Sequence, residues 1–188
     1  MPAEHAILGL LAESDPGAHG YDLARHFGPE EPLGAIVRLE PGMLYHHLKK
    51  LDKAGWVSAT VEQQGVRPPR QVYQLTPEGR TELDRWLGEP VGRTREIRLE
   101  FLIKLFFAQR LQPDLVGELV AHQRETLERN LTSLNVQQQS MAAGGDADDR
   151  DRSFSIHVLA LRMAQTEAAL VWLDHLLAGE PGQNVEGN

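Results

Sequence analysis

Three short segments of helical periodicity, a change to β-branched alternation just after them and a purely helical pattern from residue 93 onward predict a mainly α protein. A small N-terminal domain with one two-stranded hairpin is followed by an all-helical domain. Gly88-Glu-Pro-Val-Gly92 is the expected boundary, giving one domain at 1–90, a second at 93–178 and a tail at 179–188 that should fray. The 188 residues are 41% apolar and 24% charged, enough to bury a real core. No apolar run approaches the ~20 residues of a membrane span, and the N-terminus has no basic lead-in of the kind a signal peptide carries. Cysteine is absent, which excludes disulfides, thiolate zinc sites and a cysteine nucleophile, and fits a cytoplasmic location.

Ala6, Ile7, Leu10 and Leu11 recur at helical spacing, and this first helix stops at the turn-forming Ser14-Asp-Pro-Gly17. A second, with Tyr21, Leu23, Ala24 and Phe27 as its apolar positions, ends at Gly28-Pro29. After an acidic loop at 28–34, the third helix is opened by Pro41 and closed by Gly55, since proline suits the first helical turn and glycine the left-handed position just past the last. Then Trp56 to Gln63 is rich in β-branched residues, Gln71 to Leu75 alternates, and Gln64 to Arg70 between them predicts a long turn that carries Arg67 and Arg70. Thr76-Pro-Glu supplies an N-cap, a first-position proline and an early acidic residue for a helix ending near Trp86-Leu87.

Beyond residue 93 the pattern is helical only. Residues 96–108 are apolar nearly all round, which at that length means a buried helix. From Asp114 to about Gln139, Val120, Leu127 and Leu134 repeat every seven residues, and from Ser153 to Ala178 Ile156, Leu159, Met163, Leu170 and Leu177 lie near one stripe. A charged loop is expected at 141–152. Two arrangements satisfy these seams: a simple helical hairpin within one chain, or a homodimer in which they clasp a second copy.

Three short helices followed by a two-stranded hairpin form the order of a winged helix-turn-helix, whose third helix enters the DNA major groove. The third helix is built for that. Leu44, Leu48 and Leu51 fall within about 60° of one another on a helical wheel, with Gly42, His46, Lys49 and Lys53 roughly opposite. Gly42, Met43, Tyr45 and His46 are placed to reach base edges, Lys49, Lys50 and Lys53 to meet phosphates, and Arg67 and Arg70 to meet the backbone or minor groove from the hairpin. Charge distribution agrees: residues 1–40 hold two basic against seven acidic side chains, whereas 41–80 hold six against three. Double-stranded DNA is the expected partner.

No phosphate loop, HExxH or nucleophile elbow is present, so no enzyme and no cofactor is expected. Nor is a metal, because the adjacent His46 and His47 point about 100° apart on a helix. The net charge of −8, with 9 basic against 13 acidic residues over 1–90, leaves open a winged-helix module that binds protein and no DNA.

LYHHLKKLDKAGW at 44–56 and VYQLTPEGRTEL at 72–83 resemble the winged-helix domain of PadR-type transcriptional regulators, and Tyr21 after His19-Gly20 matches their second helix. REIRLEFLIKLFFAQRL at 95–111, with the long helices behind it, is similar to the larger subgroup, whose C-terminal domain resembles that of virulence gene activators. The resemblance spans about residues 3–178 and is most specific at 44–80. It adds Tyr21 to the DNA-binding set and implies a dimeric repressor, less often an activator, that answers to a phenolic or other small hydrophobic effector. Trp86, Phe101, Phe106, Phe107 and Trp172 are the candidate walls of such an effector pocket, with plain core packing as their alternative.

Overall fold

A computed structural model describes residues 2–14, 16–64, 67–143 and 149–179, with the side chains of 64, 67–69, 142, 143 and 149–152 outside that description. The chain divides into two compact units, one formed by 1–89 with 98–115 and the other by 90–97 with 116–188.

In the first unit, α1 (Pro2–Glu13) buries Ile7, Leu8 and Leu11 against α4 (Pro41–Lys53), which contributes Leu44, Leu48 and Leu51. Two short helices, α2 (Gly20–Arg25) and α3 (Pro32–Ile36), add Leu23 and Leu33 to the same core. The end of α4 follows from its backbone chemistry. Trp56 N–H donates to Leu51 O at 3.1 Å, Gly55 N–H donates to Asp52 O at 3.0 Å, and Gly55 sits at φ +75°. These paired bonds form a Schellman stop, which requires the left-handed conformation glycine adopts without strain. α5 (Pro77–Gly88) starts on Thr76, whose hydroxyl accepts from Gly79 N–H at 3.0 Å and donates to Gly55 O at 2.7 Å. One threonine thus ties the end of α4 to the start of α5.

The sheet is three-stranded and antiparallel, ordered β1 (Ala18–His19), β3 (Arg67–Leu75), β2 (Val57–Gln64). The expected two-stranded wing is present as β2 and β3. β1, two residues long and pairing Ala18 with Tyr73 and His19 with Val72, is too short to have a sequence period. The expected long turn at 64–70 is shorter, because β3 already begins at Arg67, paired with Gln64 across an irregularity in β2. Two adjacent prolines are tolerated there because β1 reaches only Val72 and Tyr73, leaving one side of β3 without a partner strand, and on the other side the pairing with β2 is irregular between Glu62 and Gln64. Part of the expected acidic loop is helical as α3.

The apolar run expected among the C-terminal helices enters through a wide helical turn at Ile97–Phe101 and becomes α6 (Leu102–Leu111), which packs on α1, α3 and α5 of the first unit. The approach to α1 is close: a Cβ on Gly9 would lie 2.5 Å from the Phe107 ring. Lys104, in the middle of this run, is 1% exposed. Its ammonium donates to Trp86 O and, at 2.7 Å, to Glu89 O, and lies 4.3 Å from the centre of the Trp86 ring. It closes the C-terminus of α5, where helices leave carbonyls unpaired. Burial pushes its pKa down to about 8.

The second unit is a helical hairpin of α7 (Val116–Ala143) and α8 (Asp149–Leu177). Val120, Leu127 and Leu134 are buried, as are Leu159, Thr166 and Leu173 at the same seven-residue spacing on α8. The heptad seam is therefore filled within one chain. Both helices are longer than expected and enter the predicted loop at 141–152; residues 144–148 and most of the expected tail, 180–188, lie outside the described residues. The buried Gln123 side chain accepts from Val91 N–H at 2.7 Å and donates to Val91 O at 3.0 Å, fixing the extended segment before α7 by a two-bond clamp. Asn130 donates to Gly92 O at 2.8 Å, one step further along.

Candidate nucleic-acid interface

α4 presents one face to the core and the other to solvent. Gly42, Met43, Tyr45, His46, Lys49 and Lys53 are all exposed, and nothing lies within 4 Å of a Cβ built on Gly42. Its N-cap, Glu40, makes no side-chain cap, so the first-turn N–H groups face outward with the partial positive charge that anions favour. A phosphate or base edge can approach this turn without displacing a side chain.

Two α4 residues have other partners. His47 is buried, and its Nδ1–H donates to Glu4 Oε1 at 3.3 Å, while Lys50 donates to the same oxygen at 2.6 Å. Burial pushes the Glu4 pKa up, but the bonds from Lys50 and His47 outweigh it and the net shift is downward. Lys50 therefore holds α4 to α1. Lys49 and Lys53 make no ion pair with a described carboxylate.

Between α2, α4 and the wing is an open cavity of about 810 Å³. It gathers all three tyrosines of the chain, Tyr21, Tyr45 and Tyr73, together with His19 and Arg70. Tyr21 is 71% exposed and Tyr45 48%. Tyr45 leans on the α2 backbone so closely that a Cβ on Gly20 would lie 2.5 Å from its ring. Burial, with Tyr45 and Asp52 adding to it, raises the Tyr73 pKa, so its hydroxyl stays protonated and donates to Gln71 Oε1 at 2.7 Å. Of the residues singled out in the sequence, Tyr21, Tyr45 and Arg70 meet here, and Gly42, Met43, His46, Lys49 and Lys53 continue the exposed surface along α4. The Arg67 side chain is outside the described residues. His19 and Tyr73 were missed as cleft residues; the signal that places them is the pairing of β1 with β3, which the sequence alone does not show.

The five candidate effector-pocket aromatics are distributed differently. Trp86, Phe101 and Phe107 are buried in the first unit, and Phe106 is partly covered there by the Arg110 guanidinium, 3.5 Å from its ring centre. Trp86 stacks on His5 at 4.5 Å and donates from Nε1 to Glu100 at 2.9 Å. Trp172 belongs to α8 of the other unit.

The helices α1 to α4 and the wing that follows them, with a cationic helix face beside an aromatic cleft, define a winged helix-turn-helix of the nucleic-acid-reading class. Residues 7–85 match the transcriptional regulator PadR-like family and residues 97–179 match the virulence activator alpha C-terminal domain, and the chain belongs to the PadR-like family of transcriptional regulators. It is 27% identical over 179 residues to the negative transcriptional regulator PadR of Bacillus subtilis, covering 93% of this chain and 95% of that one. A probable transcriptional regulator of Mycobacterium tuberculosis is 37% identical over 95 residues, 50% of this chain and 48% of its own length. The crystal structure of Bacillus subtilis PadR in complex with operator DNA aligns over 94% of this chain and 98% of that chain, at 25% identity and a TM-score of 0.45. The family is one of transcriptional regulators and not of enzymes.

Proposed function

We propose that this regulator is a DNA-binding repressor that acts as a homodimer on a near-palindromic operator. Each subunit places α4 in a major groove, with successive grooves about 34–36 Å apart. The observation that carries this reading is the exposed face of α4; we assign Gly42, Met43, Tyr45 and His46 on it to the bases and Lys49 and Lys53 to the phosphates, with Tyr21 and the wing arginines Arg67 and Arg70 as flanking contacts. The sign of regulation follows the Bacillus subtilis relative, a negative regulator aligned over nearly the whole chain. No described helix is long and apolar enough to cross a membrane, which fits action on DNA in the cytoplasm.

The dimer is supported by α8. About 110° round the wheel from the seam it shares with α7, this helix exposes Phe154, Val158 and Leu161, which are 69%, 41% and 59% exposed and lie within about 60° of one another. A helix apolar on two faces needs two partners, and α7 covers only one. A second copy of α8 is the occupant we assign to the other. A small aromatic or hydrophobic effector then acts by favouring one dimer geometry over another.

The test is a fluorescence-polarisation titration against the duplex upstream of the protein's own gene, at two salt concentrations, with a scrambled competitor. Binding that survives the competitor and is lost in Lys49→Ala with Arg70→Ala supports the reading. Equal weak binding to both duplexes, untouched by those substitutions, contradicts it and favours a protein-binding module.

A further inference from the structure

Two glycines adjoin the surface assigned to DNA, and their surroundings differ. Gly42 is open, with nothing within 4 Å of a Cβ placed on it. Gly20, the first residue of α2, is buried, and a Cβ there would lie 2.5 Å from Tyr45 Cε1 and 3.0 Å from both its Cζ and its hydroxyl oxygen. One edge of the Tyr45 ring, out to the hydroxyl, therefore runs along the Gly20 backbone in space that any side chain would fill. The backbone at this position makes no such demand. Gly20 is not among the glycines with positive φ, which in the described residues are Gly17, Gly55 and Gly179, and glycine is one of the weakest helix formers. An alanine would serve α2 better, but it would leave no room for the ring.

Of the two partners in this contact, the backbone is the fixed one. His19, immediately before Gly20, pairs with Val72 in the sheet, and its Nδ1–H donates to Gln71 O at 3.2 Å. Leu23, one turn further on, is 1% exposed in the core. Tyr45, by contrast, hangs from α4 by two rotatable side-chain bonds and is 48% exposed. A side chain at position 20 would thus displace the ring and leave α2 where it is. We infer that Gly20 is a positioning residue for operator recognition: by having no side chain it forms the seat that holds the Tyr45 ring in one orientation on the exposed face of α4. The inference rests on the reading of α4 as the helix that enters the groove. Being buried, Gly20 acts through Tyr45 and not by touching DNA. A surface tyrosine without a seat has to be ordered when it meets its target, and that ordering is subtracted from affinity; a seated ring has already lost this freedom on folding.

The experiment is a double-mutant cycle in the full-length protein, with affinity for the duplex upstream of its own gene measured for the parent, Gly20→Ala, Tyr45→Ala and the pair. Gly20→Ala should weaken binding about three- to tenfold with a urea midpoint no lower than the parent's, whereas in the Tyr45→Ala background the same substitution should change affinity less than about twofold. In the free parent a nuclear Overhauser contact between the Tyr45 ring and the Gly20 α-protons should be present before any DNA is added, a measurement that needs no variant to fold. Lack of that contact, a Gly20→Ala protein that binds as the parent does, or a loss of equal size with and without the Tyr45 ring would overturn the assignment, the last by marking Gly20 as a merely structural residue. The parent itself separates this inference from the reading beneath it. If the parent binds that duplex no better than a scrambled one, the DNA-reading role of α4 falls and the use of the seat with it; if the parent binds and Gly20→Ala is indifferent, the seat alone falls.

Discussion

Lys49 and Lys50 are neighbours in sequence, and only Lys50 is bonded to a described carboxylate. Lys50 is bonded to a buried carboxylate, so Lys50→Ala strips Glu4 of a 2.6 Å charged partner and should cost about 1–3 kcal/mol, the range for an under-satisfied buried polar group, read as a lower urea midpoint. Lys49→Ala should leave stability within about 0.5 kcal/mol of the parent. Its signature is in the duplex titration, where losing one phosphate contact lowers the slope of log affinity against log salt by ~0.9. A second residue-scale prediction concerns acid. The Arg85 guanidinium beside Glu82 holds its carboxylate down at about 2, His5 adds to this, and partial burial opposes both. The folded-state pKa is depressed, so the carboxylate's contribution is fully present above about 4.5 and lost as pH falls toward 2. Urea melts at pH 5 and pH 3 should show a smaller drop in stability for Glu82→Gln than for the parent.

At the scale of elements, legibility followed the range of the interaction. The stop at Gly55, the Thr76 cap and the first-position prolines were readable because each depends on a few consecutive residues. β1 was not, since two residues hold no period and its partner is more than fifty positions away. His47 was read only as pointing about 100° away from His46, and only the fold brings Glu4 beneath it. Lys104 sits in an apolar run because α5 ends where its ammonium can satisfy two carbonyls, a fact of packing. The cleft was half legible: Tyr21, Tyr45 and Arg70 came from motif and wheel, while His19 and Tyr73 needed the sheet. The α7–α8 seam supplies the element-scale prediction. Leu127 is fully buried in it, so Leu127→Ala should cost about 2–5 kcal/mol, whereas Leu161→Glu on the outer face of α8 should leave the subunit folded and shift the dimer to monomer in sedimentation.

For the molecule as a whole, a net charge of −8 and a basic helix face are compatible because the block 41–80, which contains that helix, holds six basic against three acidic side chains while 1–40 holds two against seven. Few phosphate contacts then imply affinity that depends more on base edges and dimer geometry than on bulk electrostatics, so operator discrimination should persist at salt concentrations that abolish weak non-specific association. The clamp that Gln123 places on Val91 extends to kinetics. The segment 90–93 is neither helix nor strand, and chain of that kind usually gives up its amide protons to deuterium within moments. Val91 should not, because its amide can open only when a fully buried side chain leaves the interior of α7. In exchange experiments this one amide should follow the slow protons of α7, and Gln123→Ala should return it to the fast class, making it a natural reporter of when the helical hairpin breathes.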